Sequence, residues 1–234
     1  MLAAGMLAVG ISSVKAQTAD EIMDKHTKAV GGADNWNKIK TMKMVGSLNQ
    51  GGMEINMTTT LVTEKALRMD ISVMGMSGYQ IITKEGGWAY MPFQGSTKID
   101  TMKPEMVKSM ASQMNPKSIQ LIDYKSKGTK IELAGKDTLN NAPCYKLKCT
   151  NKEGETSFCY IDMNTYYLAR IERSVKTDDQ EQEMAVGFSN YQKLADGGIV
   201  VPMTMNTQGV DINYKIVEVN KPVDDKIFIP TIAK

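Results

Sequence analysis

The sequence predicts a mainly β protein, a curved antiparallel sheet of about eleven strands with one helix before it and one inserted helix. Three observations predict this. From Thr41 onward, apolar and polar residues alternate with a period of two. Glycine and asparagine or aspartate clusters punctuate the alternating runs at short intervals. Only two stretches, near residues 18–30 and 104–114, change to the three- and four-residue spacing of an amphipathic helix.

The elements follow in order. Leu2 to Ile11 is a nearly unbroken run of apolar and small residues, ending in Val14-Lys15-Ala16. That is the pattern of a secretory signal peptide, so residues 1–16 are expected to be removed. The run is too short for a membrane-spanning helix, which needs about 20 residues. No cysteine follows it, so no acylated anchor is expected on the exported chain. Residues 17–234 are expected to form a single domain, because no linker or composition break divides them.

Thr18-Ala19-Asp20-Glu21 reads as a capping box at a helix start, and Gly31-Gly32 as the stop. A short turn then carries Trp36 and Ile39. Met42 and Met44, then Met53, Ile55 and Met57, alternate on either side of a Gln50-Gly51-Gly52 turn. Leu67, Met69, Ile71 and Val73 continue the pattern against Arg68, Asp70 and Ser72. Gly75 to Gly78 and Glu85-Gly86-Gly87 are read as the next turns of this meander. Pro104 opens the inserted helix, whose Met106, Val107, Met110 and Met114 form one apolar stripe ending before Pro116. Strands resume near Ile131 and run to Val219.

Several function classes are excluded or weakened. The net charge is +2, without the basic field that nucleic-acid binding needs. His26 is the single histidine and sits inside the first helix, where a helix-surface or packing role is expected. No nucleophile elbow, zincin motif, phosphate loop or EF-hand run is present, so neither a catalytic residue nor a metal or cofactor is assigned. Glu172, Asp178, Asp179, Glu181 and Glu183 cluster around one turn and read as a solvated hairpin end. A two-carboxylate hydrolase stays as a lesser alternative.

The composition is rich in methionine, with 19 Met against 4 Phe and 2 Trp. Methionine adapts to irregular apolar shapes, which suits either a site for flexible chains or an ordinary core. A sheet of this size curls, and its concave face needs cover. The two helices can supply that cover. A loose fit leaves an apolar cavity under a lid, which suits a lipid.

The run Tyr79 to Pro92, with Glu85-Gly86-Gly87-Trp88 at its centre, resembles the LolA/LolB lipoprotein-carrier superfamily. So do Lys65 to Asp70, Tyr160 to Thr165 with Leu168 to Ile171, Phe188-Ser189-Asn190-Tyr191, Ile227-Phe228-Ile229-Pro230, and the opening Ala19 to Gly32. The resemblance implies a half-closed antiparallel barrel whose helical lid covers a cavity for acyl chains. It implies a periplasmic, unanchored, non-enzymatic carrier of acylated lipoproteins or other lipids. A membrane-bound donor or acceptor would be its partner. A sensor or protein-interaction module on the same scaffold is the competing reading.

On this reading Arg68 holds the lid or a head group, or is simply a solvated strand residue. Met69 and Ile71 share the opposite strand face and are expected to contact the ligand. Trp88 and Tyr90 share one face and line the cavity or pack as ordinary sheet neighbours. Met106, Met110 and Met114 form the lid's inner surface or a buried helix core. Cys149 and Cys159 flank the turn at Lys152-Glu153-Gly154; if Lys152 faces Thr156 they are directly opposed and a cross-strand disulfide is geometrically possible. A slip of one residue would separate them onto opposite faces. Cys144 would remain a buried small hydrophobe.

Overall fold

A computed structural model describes residues 17–177 and 180–232. The expected signal peptide and the Asp178-Asp179 turn lie outside the described residues.

The chain opens with α1 (Ala19–Ala29), started by the expected capping box: Thr18 Oγ1 accepts from the Glu21 amide, and Glu21 Oε2 accepts from the Thr18 amide. Gly31 and Gly32, both at positive φ, end it and lead into α2 (Ala33–Asn37). Six strands follow: β1 (Thr41–Gln50), β2 (Met53–Val62), β3 (Ala66–Val73), β4 (Met76–Thr83), β5 (Gly87–Tyr90) and the short β6 (Asp100–Thr101). The inserted segment is α3 (Pro104–Ala111), a 3₁₀ turn at Ser112–Met114, and α4 (Pro116–Ile119). Seven more strands follow: β7 (Lys130–Leu139), β8 (Ala142–Thr150), β9 (Thr156–Asp162), β10 (Leu168–Thr177), β11 (Gln180–Lys193), β12 (Val200–Thr207) and β13 (Val210–Val219), and a 3₁₀ turn at Asp225–Phe228 comes after them.

Among the described residues, thirteen strands form one antiparallel sheet, in the order β6-β5-β4-β3-β2-β1-β13-β12-β11-β10-β9-β8-β7. The sheet is not closed: β6 and β7 are its two edges. An open sheet of more than about ten strands curls to stay covered. Bulges between β1 and β13 at Val45/Gly46, between β9 and β10 at Leu168/Arg170, and between β7 and β8 at Leu133/Gly135 sharpen the bend. The result is the half-barrel expected from the sequence, with two more strands than the alternation suggested.

Two differences have local causes. The β3–β4 turn is Met74-Gly75, both at positive φ, and Gly78 lies inside β4. The β8–β9 hairpin pairs Thr150 with Thr156, so Lys152 does not face Thr156. The Asn151 side chain accepts from the amides of Glu153 and Glu155 at 3.1 and 2.8 Å, winding residues 151–155 into a loop.

Among the described residues, three apolar clusters divide the interior. Under α1, Ile22 and Met23 pack on Leu147, Cys149, Cys159, Ile161 and Leu168. Under the inserted segment, Leu61, Leu67, Ile82 and Val219 pack with Met102, Met114 and Ile122. On the other face of the sheet, Phe228 covers Ala66, Tyr79 and Ile81. The concave face therefore carries the helices, and the convex face of β3–β5 carries the C-terminal segment.

Candidate functional site

Strand pairing defines the concave wall. Met42, Leu61, Leu67 and Ile82 stand side by side across β1–β4, and Met44, Thr59, Met69 and Gln80 form the next step. Directly opposed residues in a sheet point to the same face, so both rows face inward. The bulge at Gly46 belongs to this wall: a Cβ there would meet the Asn213 carbonyl at 2.5 Å and the Tyr214 ring at 3.0 Å.

Above this wall lies an apolar hollow of about 190 Å³. Met42, Met44, Met57, Met69 and Met205 line it, with Leu61, Leu67, Ile212, Tyr214 and Val217. Its roof is Trp36 from α2 together with Gln113, Pro116 and Gln120 from the inserted segment. Among the described residues no aspartate or glutamate lines it. The Tyr214 hydroxyl reaches Met205 Sδ at 3.5 Å, and burial pushes its pKa up, so it stays neutral.

The roof is fastened by polar contacts at separate points. Glu64 N donates to Met114 O at 3.0 Å, and Asn115 Nδ2 donates to Glu64 Oε1 at 3.0 Å. Lys117 Nζ donates to Asn37 Oδ1 at 2.8 Å. His26 Nε2 lies 2.9 Å from Gln120 O, and Tyr124 Oη donates to Asp20 Oδ1 at 2.7 Å. Trp36 is itself held by its indole N–H, which donates to Val30 O at 2.9 Å. Hydrogen bonds of this kind contribute about 0.5–1.5 kcal/mol each, and the exposed ones least. The roof is thus held by these bonds and by the apolar packing of Trp36, Met114 and Ile122 rather than by the sheet ladder.

The sequence-predicted site residues are divided by the fold. Met69 lines the hollow. Ile71 faces inward one step further along β3, opposite Met57. Met114 is buried in the core under the roof, and Met110 packs against it. Met106 is 50% exposed and does not face the hollow. The inward contact of α3 is instead Val107, which reaches Gly87: a Cβ on Gly87 would meet Val107 Cγ2 at 2.8 Å and Met102 Sδ at 2.9 Å. So α3 covers the β4–β6 edge, and the segment after it roofs the hollow.

Arg68, Trp88 and Tyr90 lie on the convex face and do not line this hollow. Arg68 opposes Ile81, which opposes Trp88, and Tyr90 opposes Tyr79. Arg68 donates from its Nε to Asp70 Oδ1 at 2.7 Å and from a terminal nitrogen to Ile227 O at 2.6 Å. Its guanidinium also lies 4.6 Å from the Tyr79 ring centre. Its observed contact is thus with the C-terminal segment.

Cys149 and Cys159 are free thiols here, as is Cys144. The lining residues that sequence reasoning missed are mostly on β1, β2, β12 and β13. Their alternation was legible; their convergence needed the closure of β1 onto β13.

A larger open trough, about 650 Å³, lies on the outer face of the other half of the sheet. Asn140, Arg170, Glu183 and Asn206 line it beside Ala142, Ala185 and Gly187. Glu172, from the acidic cluster, is on this outer face and bonds Tyr160 and Arg170 at 2.6 and 2.9 Å. No helix of the described residues is long and apolar enough to cross a membrane.

Neither family models nor curated proteins match this chain by sequence. Solved structures do match in shape. A LolA superfamily protein from Nitrosomonas europaea matches with a TM-score of 0.55 at 11% identity, over 92% of this chain and 99% of that one. A DUF1329 family protein from Desulfovibrio piger matches with a TM-score of 0.55 at 16% identity, over 90% and 97%. A protein domain from Vibrio parahaemolyticus, described as outer membrane lipoprotein-sorting, matches with a TM-score of 0.52 at 13% identity, over 89% and 94%. At these identities the likeness is one of fold. The curved open sheet, the helical cover on its concave side and these shared shapes identify the fold of this chain as LolA-like.

Proposed function

We propose that this protein is a periplasmic carrier or binding protein for the acyl chains of lipids or lipoproteins. On this reading residues 1–16 are removed on export, and a membrane-bound donor or acceptor exchanges the ligand. Binding is by burial, with no covalent step. The observation that carries the reading is the hollow: apolar, lined by five methionines, and roofed by a separately fastened segment.

The size of the hollow sets how binding must work. At roughly 30 Å³ per methylene-sized group, close to the share of a water in liquid, 190 Å³ holds about six chain carbons. Six buried methylenes supply about 5 kcal/mol, which alone corresponds to sub-millimolar affinity. A longer chain must therefore lift the roof or continue along the wall. The wall continues apolar: Met57 and Ile71, then Leu48, Ile55, Val73 and Met76, face inward toward the hairpin tips. Met76 and Met53 there are 43% and 45% exposed. Twelve carbons laid along hollow and strip would supply about 10 kcal/mol before association costs.

Lipid extraction from the purified protein, followed by mass spectrometry, tests the reading. Near-stoichiometric acyl lipid, lost in a Met44→Glu/Met69→Glu variant that keeps the wild-type circular dichroism, is the expected result. A lipid-free protein that also fails to take up a fluorescent fatty acid would overturn it.

A further inference from the structure

Cys149 and Cys159 are both buried, 3% and 1% exposed, on the concave face beneath α1. They are diagonal neighbours across the β8–β9 hairpin, because Cys149 opposes Ser157 and Cys159 opposes Leu147. Diagonal residues keep the same face, and the right-handed twist of a sheet shortens one of its two diagonals. Here it brings the two sulfurs to 3.2 Å. A disulfide requires about 2.05 Å, so the sulfurs need to close by only about 1.2 Å.

Cys144 has no such neighbour. It is five positions before Cys149 on the same strand, so it faces the outer side, where its thiol donates to Ala142 O at 3.6 Å. The pairing is therefore decided by strand parity. The Asn151-capped loop fixes the register that keeps the two inward sulfurs together.

We propose that Cys149 and Cys159 are a disulfide-forming pair, oxidised by thiol–disulfide exchange while the chain folds and before α1 seals them, with Cys144 left reduced. The oxidant is a disulfide compound, of small-molecule or protein type. One cysteine thiolate attacks it, forming a mixed disulfide and expelling one thiolate. The second cysteine attacks the mixed disulfide, forming the Cys149–Cys159 bond and expelling the other thiolate. The pair loses two electrons and two protons, and the oxidant becomes two thiols.

The folded protein protects whichever state it encloses. Hydrogen bonding with Cys149, together with burial, pushes the Cys159 thiol well above its ordinary range, which keeps it un-ionised and unreactive. The bond would staple β8 to β9 directly under Ile22 and Met23 of α1, next to the edge strand β7. This inference stands apart from the carrier reading, because it depends only on the hairpin and its burial.

The test is to unfold the reduced full chain and refold it in a buffer of reduced and oxidised glutathione. Free thiols are then alkylated under denaturing conditions and mapped by peptide mass spectrometry. One alkylated residue, Cys144, and a Cys149–Cys159 cross-link are expected, retained in Cys144→Ser and abolished in Cys149→Ser/Cys159→Ser. Folded reduced protein in the same buffer is expected to oxidise at least ten-fold more slowly than refolding protein. Three alkylated cysteines after refolding, or a bond that includes Cys144, would overturn the pairing. Equal oxidation rates would overturn its timing.

Discussion

His26 Nε2 lies 2.9 Å from the main-chain oxygen of Gln120, a residue 94 positions along the chain that forms part of the roof over the hollow. The other ring nitrogen, Nδ1, lies 2.8 Å from Tyr166 O. One fully buried imidazole thus ties α1 to the roof and to the β9–β10 turn. Both partners are acceptors, and a neutral imidazole can donate to only one of them. The protonated ring would satisfy both, but burial costs more than the second bond returns. Burial lowers the His26 pKa below its ordinary value, against the two carbonyls, which raise it.

The sign of the pH effect follows. As pH falls below about 6.5, the unfolded chain takes up a proton at His26 that the folded chain refuses. The stability held by neutral His26 is complete above that value and is lost as pH falls toward the lower folded pKa. Melting temperature is expected to drop between about pH 8 and about pH 5, more in the wild type than in His26→Gln. His26→Ala is expected to cost about 2–3 kcal/mol at neutral pH, because one carbonyl loses its donor and the buried ring leaves a cavity. Denaturant melts at both pH values check this; parallel pH profiles of wild type and His26→Gln would remove His26 as the cause.

The wall of the hollow and the outer side of α3 should respond differently to charge. Met69 lines the hollow, while Met106 is half exposed. A carboxylate at Met69 would be buried without a partner, so Met69→Glu is expected to cost about 2–4 kcal/mol and to abolish uptake of a fluorescent fatty acid. Met106→Glu is expected to change stability by at most about 0.5 kcal/mol and to leave uptake intact. Titration of the probe into each variant decides the matter.

Gly87 carries α3. Its missing side chain leaves the space that Val107 and Met102 occupy. Met102 can swing aside, but Val107 is β-branched and stiff. Gly87→Leu is expected to lift α3 from the sheet and cost about 1–3 kcal/mol. Faster amide exchange across Pro104–Ala111, with unchanged exchange in β8 and β9, is the signature to measure.

Arg68 should act on the C-terminal segment. It bonds Asp70 and Ile227 O and lies over Tyr79. Arg68→Ala is expected to cost about 1–3 kcal/mol and to speed amide exchange near Ile227 and Phe228. Arg68→Lys should recover little, since an ammonium lacks the planar fork that meets both partners. Uptake of the acyl probe is expected to persist in both variants.

Local order was legible along the chain wherever one short-range pattern governed it. The capping box at Thr18 and Glu21, the Gly51-Gly52 turn, the two-residue period of the strands and the proline-started α3 all depend on neighbours a few positions apart. The LolA-like half-barrel followed from their order and number. What alternation cannot decide is which face of a strand meets which cover. In β3 and β4 both faces are apolar: Leu67, Met69 and Ile82 on one, Tyr79 and Ile81 on the other. The first set lies under the roof, and the second lies under Phe228 from the far end of the chain.

The same reason separates Met69 from Arg68 and gives Trp88 and Tyr90 to the outer surface. It also places Gln113, Pro116 and Gln120 over a wall formed mainly by β1, β2, β3, β12 and β13. By itself the sequence determined the strands, the turns and the helical insert, because those rest on local steric and hydrogen-bonding preferences. Only the tertiary structure decided where the hollow is and what closes it, because both depend on pairing β1 with β13, contacts between residues far apart in the chain that no local period encodes.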